Sequence, residues 1–247
     1  MNRRNFLQTT GCLAIGFTLG NPDRAYSSPF MQQLPGSLRR NPSLNAWLEV
    51  LDNGMVRIYT GKLELGQGIR TAIAQVAAEE LDLEMKQVEV ILADTLRTPD
   101  EGYTVGSGSI ENSAMAVRYA AASARQKILD MASAKWSIPA ASLSMANAKV
   151  TTKTGDKTIS FVELLGGKQL TGTVQLPVTL KAKSAYKLVG KAIPRDDIGR
   201  MVRGEPVYLH DLRFPGMVHA RVVRPPAYGA QLQKVDEATI NKKVPVY

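Results

Sequence analysis

Apolar and polar positions alternate in short runs over the first half of the chain and then recur at helical spacing. Ala46 to Leu51 and Met55 to Thr60 are two apolar runs separated by Asp52-Asn53-Gly54, which predicts a hairpin of two strands. Ile69, Ile73, Val76, Ala77 and Leu81 then fall on one side of a helix spanning Gly68 to Leu81, with Glu79 and Glu80 on its other, polar face. Val88 to Ala93 reads as a strand, and a glycine-rich loop from about Asp94 to Ile110 follows it. The alanine density from Asn112 to Trp136 predicts a second helix, capped by Asn112 or Ser113. Past Ser137-Ile138-Pro139 come strand-like runs at Lys149 to Thr152 and Thr158 to Phe161, joined by the turn Thr154-Gly155-Asp156, and a short helix from Phe161 to Leu165. Composition changes over Gln175 to Leu188, where Pro177 and lysines intervene, and the main domain boundary is placed there, dividing 44–185 from 186–247. From Val189 onward strand and turn patterns return, notably Gly216 to Val223 before the rigid Arg224-Pro225-Pro226. This mixture defines an α+β fold without internal repeats.

Composition adds that the chain is globular, because 44% hydrophobic and 21% charged residues over 247 positions suffice for a packed core. The formal charge of +9 favours anionic partners without choosing among them. The basic residues are spread out, with only pairs such as Arg39-Arg40 and Lys242-Lys243, so the basic stripe with interleaved aromatics that marks nucleic-acid binding is missing. Nucleic acid is therefore not an expected partner. At the N-terminus Arg3-Arg4 precede Phe6-Leu7 and a weakly apolar run from Gly11 to Gly20 that is too short to span a bilayer. Residues 1–28 resemble a twin-arginine export signal, which implies a periplasmic destination, and 29–43 read as a linker; a merely basic, frayed terminus is the alternative. Cys12 is the only cysteine and lies inside that signal, so the mature chain has no disulfide, thiolate zinc site or iron–sulfur cluster of its own. His210 and His219 lack the convergent ligand set of a metal site and read as ordinary surface or packing residues, so no metal ligand is assigned.

Chemistry is suggested at Glu64-Leu65-Gly66-Gln67-Gly68, a turn that leaves a strand and opens a helix. Unpaired amides at a helix start attract anions, glycines let a phosphate approach, and the Gln67 amide adds a donor. The sequence is not a Rossmann fingerprint, since Thr71 stands where a third glycine belongs, and there is no Walker lysine. Gly102, Gly106, Ser107, Gly108 and Ser109 form a second glycine and hydroxyl loop before a helix. Two such ends suit one diphosphate held by neutral, directional donors. The bland alternatives are a tight structural turn and a flexible surface loop. No Ser-His-Asp set, reactive cysteine or placed carboxylate pair identifies a catalytic residue, and Asp100-Glu101 and Asp196-Asp197 read as solvated turn charges.

The Glu64 to Gly68 motif and the helix after it resemble the molybdopterin-binding segment of the xanthine dehydrogenase and aldehyde oxidase family. The narrower likeness is to the large (beta) subunit of isoquinoline 1-oxidoreductase and nicotinate dehydrogenase-type enzymes, carried by the arginine pair, the early cofactor segment and Val189-Gly190-Lys191-Ala192-Ile193-Pro194-Arg195. Val207 to Asp211 and Pro215 to Pro225 resemble the start of the family's α/β hammerhead domain. The resemblance implies a molybdopterin-binding α/β segment followed by part of that hammerhead. It also implies a molybdenum–molybdopterin cofactor, in bacteria commonly the cytosine dinucleotide form, contacted by Gln67, with Gly66 and Gly68 shaping the turn and Ser107, Gly108 and Ser109 as the second cofactor loop. The implied reaction is hydroxylation of N-heterocycles or oxidation of aldehydes with water as oxygen source. Implied partners are a small subunit with two [2Fe–2S] clusters, a c-type cytochrome, and a heteroaromatic or aldehyde substrate. Family members are longer, and their catalytic glutamate lies in the part without a counterpart here, so the chain is expected to be a truncated frame or split subunit, inactive alone. A non-catalytic exported anion-binding module is the other reading.

Overall fold

The computed structural model describes residues 33–205, 208–236 and 238. The proposed export signal, Cys12, Val207 and the Lys242-Lys243 pair lie outside them. The chain divides into two compact units, one running to Asp196 and the other starting at Asp197.

The first unit opens with α1 (Gly36–Arg40), then the predicted hairpin as β1 (Leu48–Val50) and β2 (Val56–Thr60), antiparallel in the register Leu48 to Ile58. Helix α2 (Ile69–Leu81) crosses over to β3 (Val88–Leu92), which lies parallel to β2 with Val56 opposite Val88. Parallel neighbours need such a crossover because a tight turn cannot reverse the chain twice. The three strands form one sheet in the order β1-β2-β3.

Ile69, Ile73, Ala77 and Leu81 are all nearly inaccessible, so the predicted apolar stripe of α2 is the buried one. It meets α3 (Met115–Trp136), whose Ala116, Ala120, Ala124 and Ala132 are completely covered. Small side chains let two helices approach closely. Trp47 and Ile58 complete this core, and the Trp47 indole nitrogen donates to the Asn41 carbonyl at 2.7 Å.

The expected start of α3 needs correction. Ser109–Ala114 winds as a π-helical turn that runs into α3, so Asn112 and Ser113 are inside the helical run and neither caps it. A second sheet, an antiparallel meander of β4 (Leu143–Ala146), β5 (Lys149–Thr152) and β6 (Thr158–Ser160), follows. Sequence reading finds β5 and β6 but not β4. The β4–β5 turn is Asn147-Ala148, both at positive φ (52° and 58°), a geometry usually marked by Asn-Gly, so the signal for a hairpin is absent. Helix α4 (Phe161–Leu165) is capped as a pair: Ser160 Oγ accepts from the Glu163 amide at 3.1 Å and the Glu163 carboxylate accepts from the Ser160 amide at 2.9 Å.

Residues 175–189 pack against α2 and α3 rather than leaving the unit. This overturns the expected polar face of α2, because Glu79 and Glu80 are 2% and 1% exposed. Glu79 Oε2 accepts from the successive amides of Lys187, Leu188 and Val189 at 2.9, 2.6 and 2.9 Å. Glu80 holds Arg118 at 2.9 Å and Arg125 at 2.8 Å, and those guanidiniums reach on to the carbonyls of Lys181 and Thr179. A buried carboxylate persists only with such a full set of donors.

In the second unit α5 (Ile198–Val202) and a short turn at Leu209–Asp211 are the regular elements among the described residues. Gly216 to Val223 is not a strand there: its side chains are exposed and no strand pairs with it. A strand needs a hydrogen-bonded neighbour and a face to bury, and the described residues of this unit supply neither. His210 and His219 are exposed, as the sequence reading has them.

Candidate functional site

The two candidate loops leave the same edge of the first unit. Gly61 to Leu63 exits β2 and runs alongside Glu101 to Thr104, and hydrogen bonds stitch the segments together. Leu63 N donates to Thr104 Oγ1 at 2.9 Å, and Lys62 Nζ donates to the carbonyls of Glu101 and Tyr103, each at 2.8 Å. Gly61 is required here, since a Cβ would stand 2.3 Å from the Pro99 carbonyl oxygen. Beyond this seam the chain runs to Gly66-Gln67-Gly68 on one side and to Ser107-Gly108-Ser109 on the other.

Of the six candidate residues, Gly66, Gln67 and Ser107 are exposed and Gly68, Gly108 and Ser109 are half-buried. Gly66 and Gly68 have φ of 99° and 82°, a region where a side chain is strained, and Gly68 ends the turn directly at α2. Ser107 also has positive φ, 57°, just before the π-helical turn. Gln67 is engaged by its own loop: its Nε2 donates to the Leu63 carbonyl at 2.9 Å and its Oε1 accepts from Leu65 N at 2.5 Å. An amide nitrogen has two N–H groups, so one donor is left over.

The two helix starts are not alike. At α2 the chain supplies its own anion, for Glu64 Oε1 accepts from the amides of Gly66 and Gly68 at 2.8 and 2.9 Å and its Oε2 from Arg70 N at 3.2 Å. Arg195 lies over this turn, donating to the Gly66 carbonyl and standing 3.8 Å from Glu64. The amides that anion-binding logic offers to a phosphate at this end are thus donated to a carboxylate. At the Ser107–Ser109 end no side chain among the described residues caps the helical run. A Cβ built on Gly106 meets nothing within 4 Å, so its backbone is open to close approach.

Sequence reasoning missed Glu101. It is not a solvated turn charge but is 9% exposed; its Oε2 accepts from Gly61 N at 2.9 Å and from the Thr60 hydroxyl, while its buried Oε1 has no partner among the described residues. Asp100 and Asp196 are exposed as expected, and Asp197 is half-buried at the start of α5. A hollow of about 360 Å³ between α2, β3 and residues 193–196 is lined by none of the six candidates. Among the described residues no cluster of His, Cys, Asp and Glu is arranged to hold a metal ion.

Residues 24–204 match the molybdopterin cofactor-binding domain family, an interval that contains both loops and the seam between them. The chain belongs to that family. It is 38% identical over 247 residues to a nicotinate dehydrogenase subunit of Pseudomonas putida, a match covering 97% of this chain and 20% of the relative. It is 26% identical to the beta subunit of isoquinoline 1-oxidoreductase of Brevundimonas diminuta, over 96% of this chain and 35% of that one. A membrane-bound aldehyde dehydrogenase (pyrroloquinoline-quinone) of Gluconacetobacter polyoxogenes is 27% identical over 98% of this chain and 32% of its own length. The chain therefore spans about a third or less of these relatives. They are named as oxidoreductases, and the reading as a non-catalytic anion-binding module finds no support among them.

Proposed function

We propose that this chain forms part of the cofactor-holding portion of a molybdenum-dependent oxidoreductase that hydroxylates N-heterocycles or oxidises aldehydes with water as oxygen source. The observation that carries this is the family match over residues 24–204, which falls on a unit whose two glycine-bearing loops leave one hydrogen-bonded seam. Two relatives are named for nicotinate and isoquinoline, both N-heterocycles, and a third for aldehydes. The third also carries pyrroloquinoline quinone in its name, so the choice of molybdopterin rests on the family match.

The residues present fit a phosphate-bearing pterin: a backbone open at Gly106 and, among the described residues, an uncapped Ser107–Ser109 end. The diphosphate is assigned to Ser107, Gly108 and Ser109, because Glu64 already occupies the α2 amides. Gln67 is assigned to the pterin through its remaining N–H, with Gly66 and Gly68 holding the turn that presents it. When bound, the molybdenum supplies two-electron chemistry that no side chain of this chain carries. The cofactor is proposed in its cytosine dinucleotide form. Residues 186–247 are proposed as part of an α/β hammerhead domain, supported by the resemblance at Val207 to Asp211 and Pro215 to Pro225.

Electrons must leave such a site, and a partner subunit with two [2Fe–2S] clusters is proposed to take them, with a c-type cytochrome beyond it. The names of two relatives as subunits support an assembly. Export by the twin-arginine route is proposed from Arg3-Arg4 before Phe6-Leu7. Replacing both arginines by lysine is expected to leave the protein in the cytoplasm, and undiminished periplasmic recovery would refute the route. The activity is tested by supplying nicotinate, isoquinoline and aldehydes to the complete assembly in isotopically heavy water. Label in the product supports the reading, whereas oxidation with unlabelled product, or of none of these substrates, rejects it.

A further inference from the structure

One carboxylate, Glu101, joins Lys62 and Thr104 in the seam between the loops. Glu101 Oε2 takes the Gly61 amide at 2.9 Å and the Thr60 hydroxyl, and the Glu101 carbonyl takes Lys62 Nζ at 2.8 Å. Thr60, Lys62 and Glu101 are 0%, 6% and 9% exposed, so this junction is buried. The loop tips beyond it are not: Leu65 and Val105 are 61% and 71% exposed. The roots of the two loops are therefore tied at the junction, beside the packing of the π-helical turn against α2. Packing alone does not call for a carboxylate, because a methionine fills similar volume without the cost of burying charge.

We propose that Glu101 is a positioning residue of the cofactor site, tying the strand exit that leads to Gly66–Gly68 to the loop that leads to Ser107–Ser109 and so fixing their separation. This rests on the cofactor assignment above. Glu101 acts through the loops and is assigned no step of the chemistry.

Hydrogen exchange of the full chain reads the tie without cofactor. In Glu101→Met, exchange over 61–68 and 102–110 together is expected to rise about tenfold or more, as for loss of hydrogen bonds to a charged group, while 143–160 stays unchanged. Glu101→Gln, which keeps an acceptor for the Gly61 amide, is expected to recover most of the protection. Thr60→Val, which keeps the shape and removes one donor, is expected to show the same pattern more weakly. Unchanged exchange in Glu101→Met, or a rise confined to one loop, overturns the tie; a rise that Gln does not rescue reduces Glu101 to a packing residue and overturns it too. A second arm measures pterin retained after gel filtration of the complete subunit. Loss in both Glu101→Met and the double variant Gln67→Ala, Ser109→Ala supports the proposal. Loss in the double variant alone overturns the role of Glu101 and leaves the cofactor assignment standing, and retention in both overturns the two together.

Discussion

Glu79 and Glu80 stand side by side near the end of α2 and share Lys181, whose amide donates to Glu80 and whose ammonium pairs with Glu79. Glu80 is the counter-charge of Arg118 and Arg125, both mostly covered, and Arg118 also lies over the Tyr186 ring at 5.4 Å. Glu80→Ala is expected to cost about 3–5 kcal/mol in urea unfolding, because it leaves buried cations without compensation. The exposed Lys153 is the control, and its alanine variant should stay within about 0.5 kcal/mol of the parent. Helical spacing assigned both glutamates to a solvent face, for periodicity reports which positions are apolar and not what a distant segment will bring. Their donors come from α3 and from residues 181–189, the latter about a hundred positions away in sequence. Glu101 was illegible for the same reason, since Gly61 and Thr60 reach it from another strand exit. Glu64 was a different failure: the helix start was found correctly, but a carboxylate four residues upstream competes for the amides that attract a phosphate. Glu64→Ala is expected to cost about 0.5–2 kcal/mol, the usual effect of removing a cap, measured by urea unfolding.

At the scale of elements, residues 179–189 form a strap on α2 whose hold depends on ionised carboxylates. Burial pushes the Glu79 carboxyl up, but the amides of Leu188, Val189 and Lys187 and the Lys181 ammonium together hold it below its ordinary value. A carboxyl with a lowered folded pKa stabilises above its unfolded pKa of about 4.3, and that stability is lost as pH falls through the lower folded value. Hydrogen exchange or limited proteolysis is therefore expected to show the strap loosening on acidification below that range while β4–β6 hold. Glu79→Gln, which no longer ionises, should loosen the strap at neutral pH and flatten its pH dependence; an unchanged acid profile would rule out Glu79 as its source. The elements themselves were largely readable. β2, α2 and β3 follow from apolar spacing, and α4 has the bounds read for the short helix, Phe161–Leu165. The π-helical start of α3 and strand β4 were not readable, because Ser109 to Ala114 carries no pattern distinct from an α-helix and Asn147-Ala148 lacks the glycine that announces a tight hairpin.

At the scale of the whole molecule, the first unit carries the buried core and both loops, whereas the described part of the second leaves side chains such as Leu209, Phe214 and Val222 exposed at 80%, 63% and 78%. The two loops were recognised from glycines and hydroxyls, but the seam that joins their roots was not, since it is made of backbone groups and the side chains of Lys62, Glu101 and Thr104. The central claim is that these loops hold a molybdopterin. Its most direct test is the molybdenum and pterin content of the purified complete subunit carrying Gln67→Ala with Ser107→Ala, beside the exposed control Lys153→Ala. Each lost hydrogen bond to the charged cofactor should weaken its hold by about 1.5–3 kcal/mol, so molybdenum and pterin are predicted to fall together in the double variant and to stay at parent level in the control. Full retention of both in the double variant would contradict the account and reduce the two loops to structural turns.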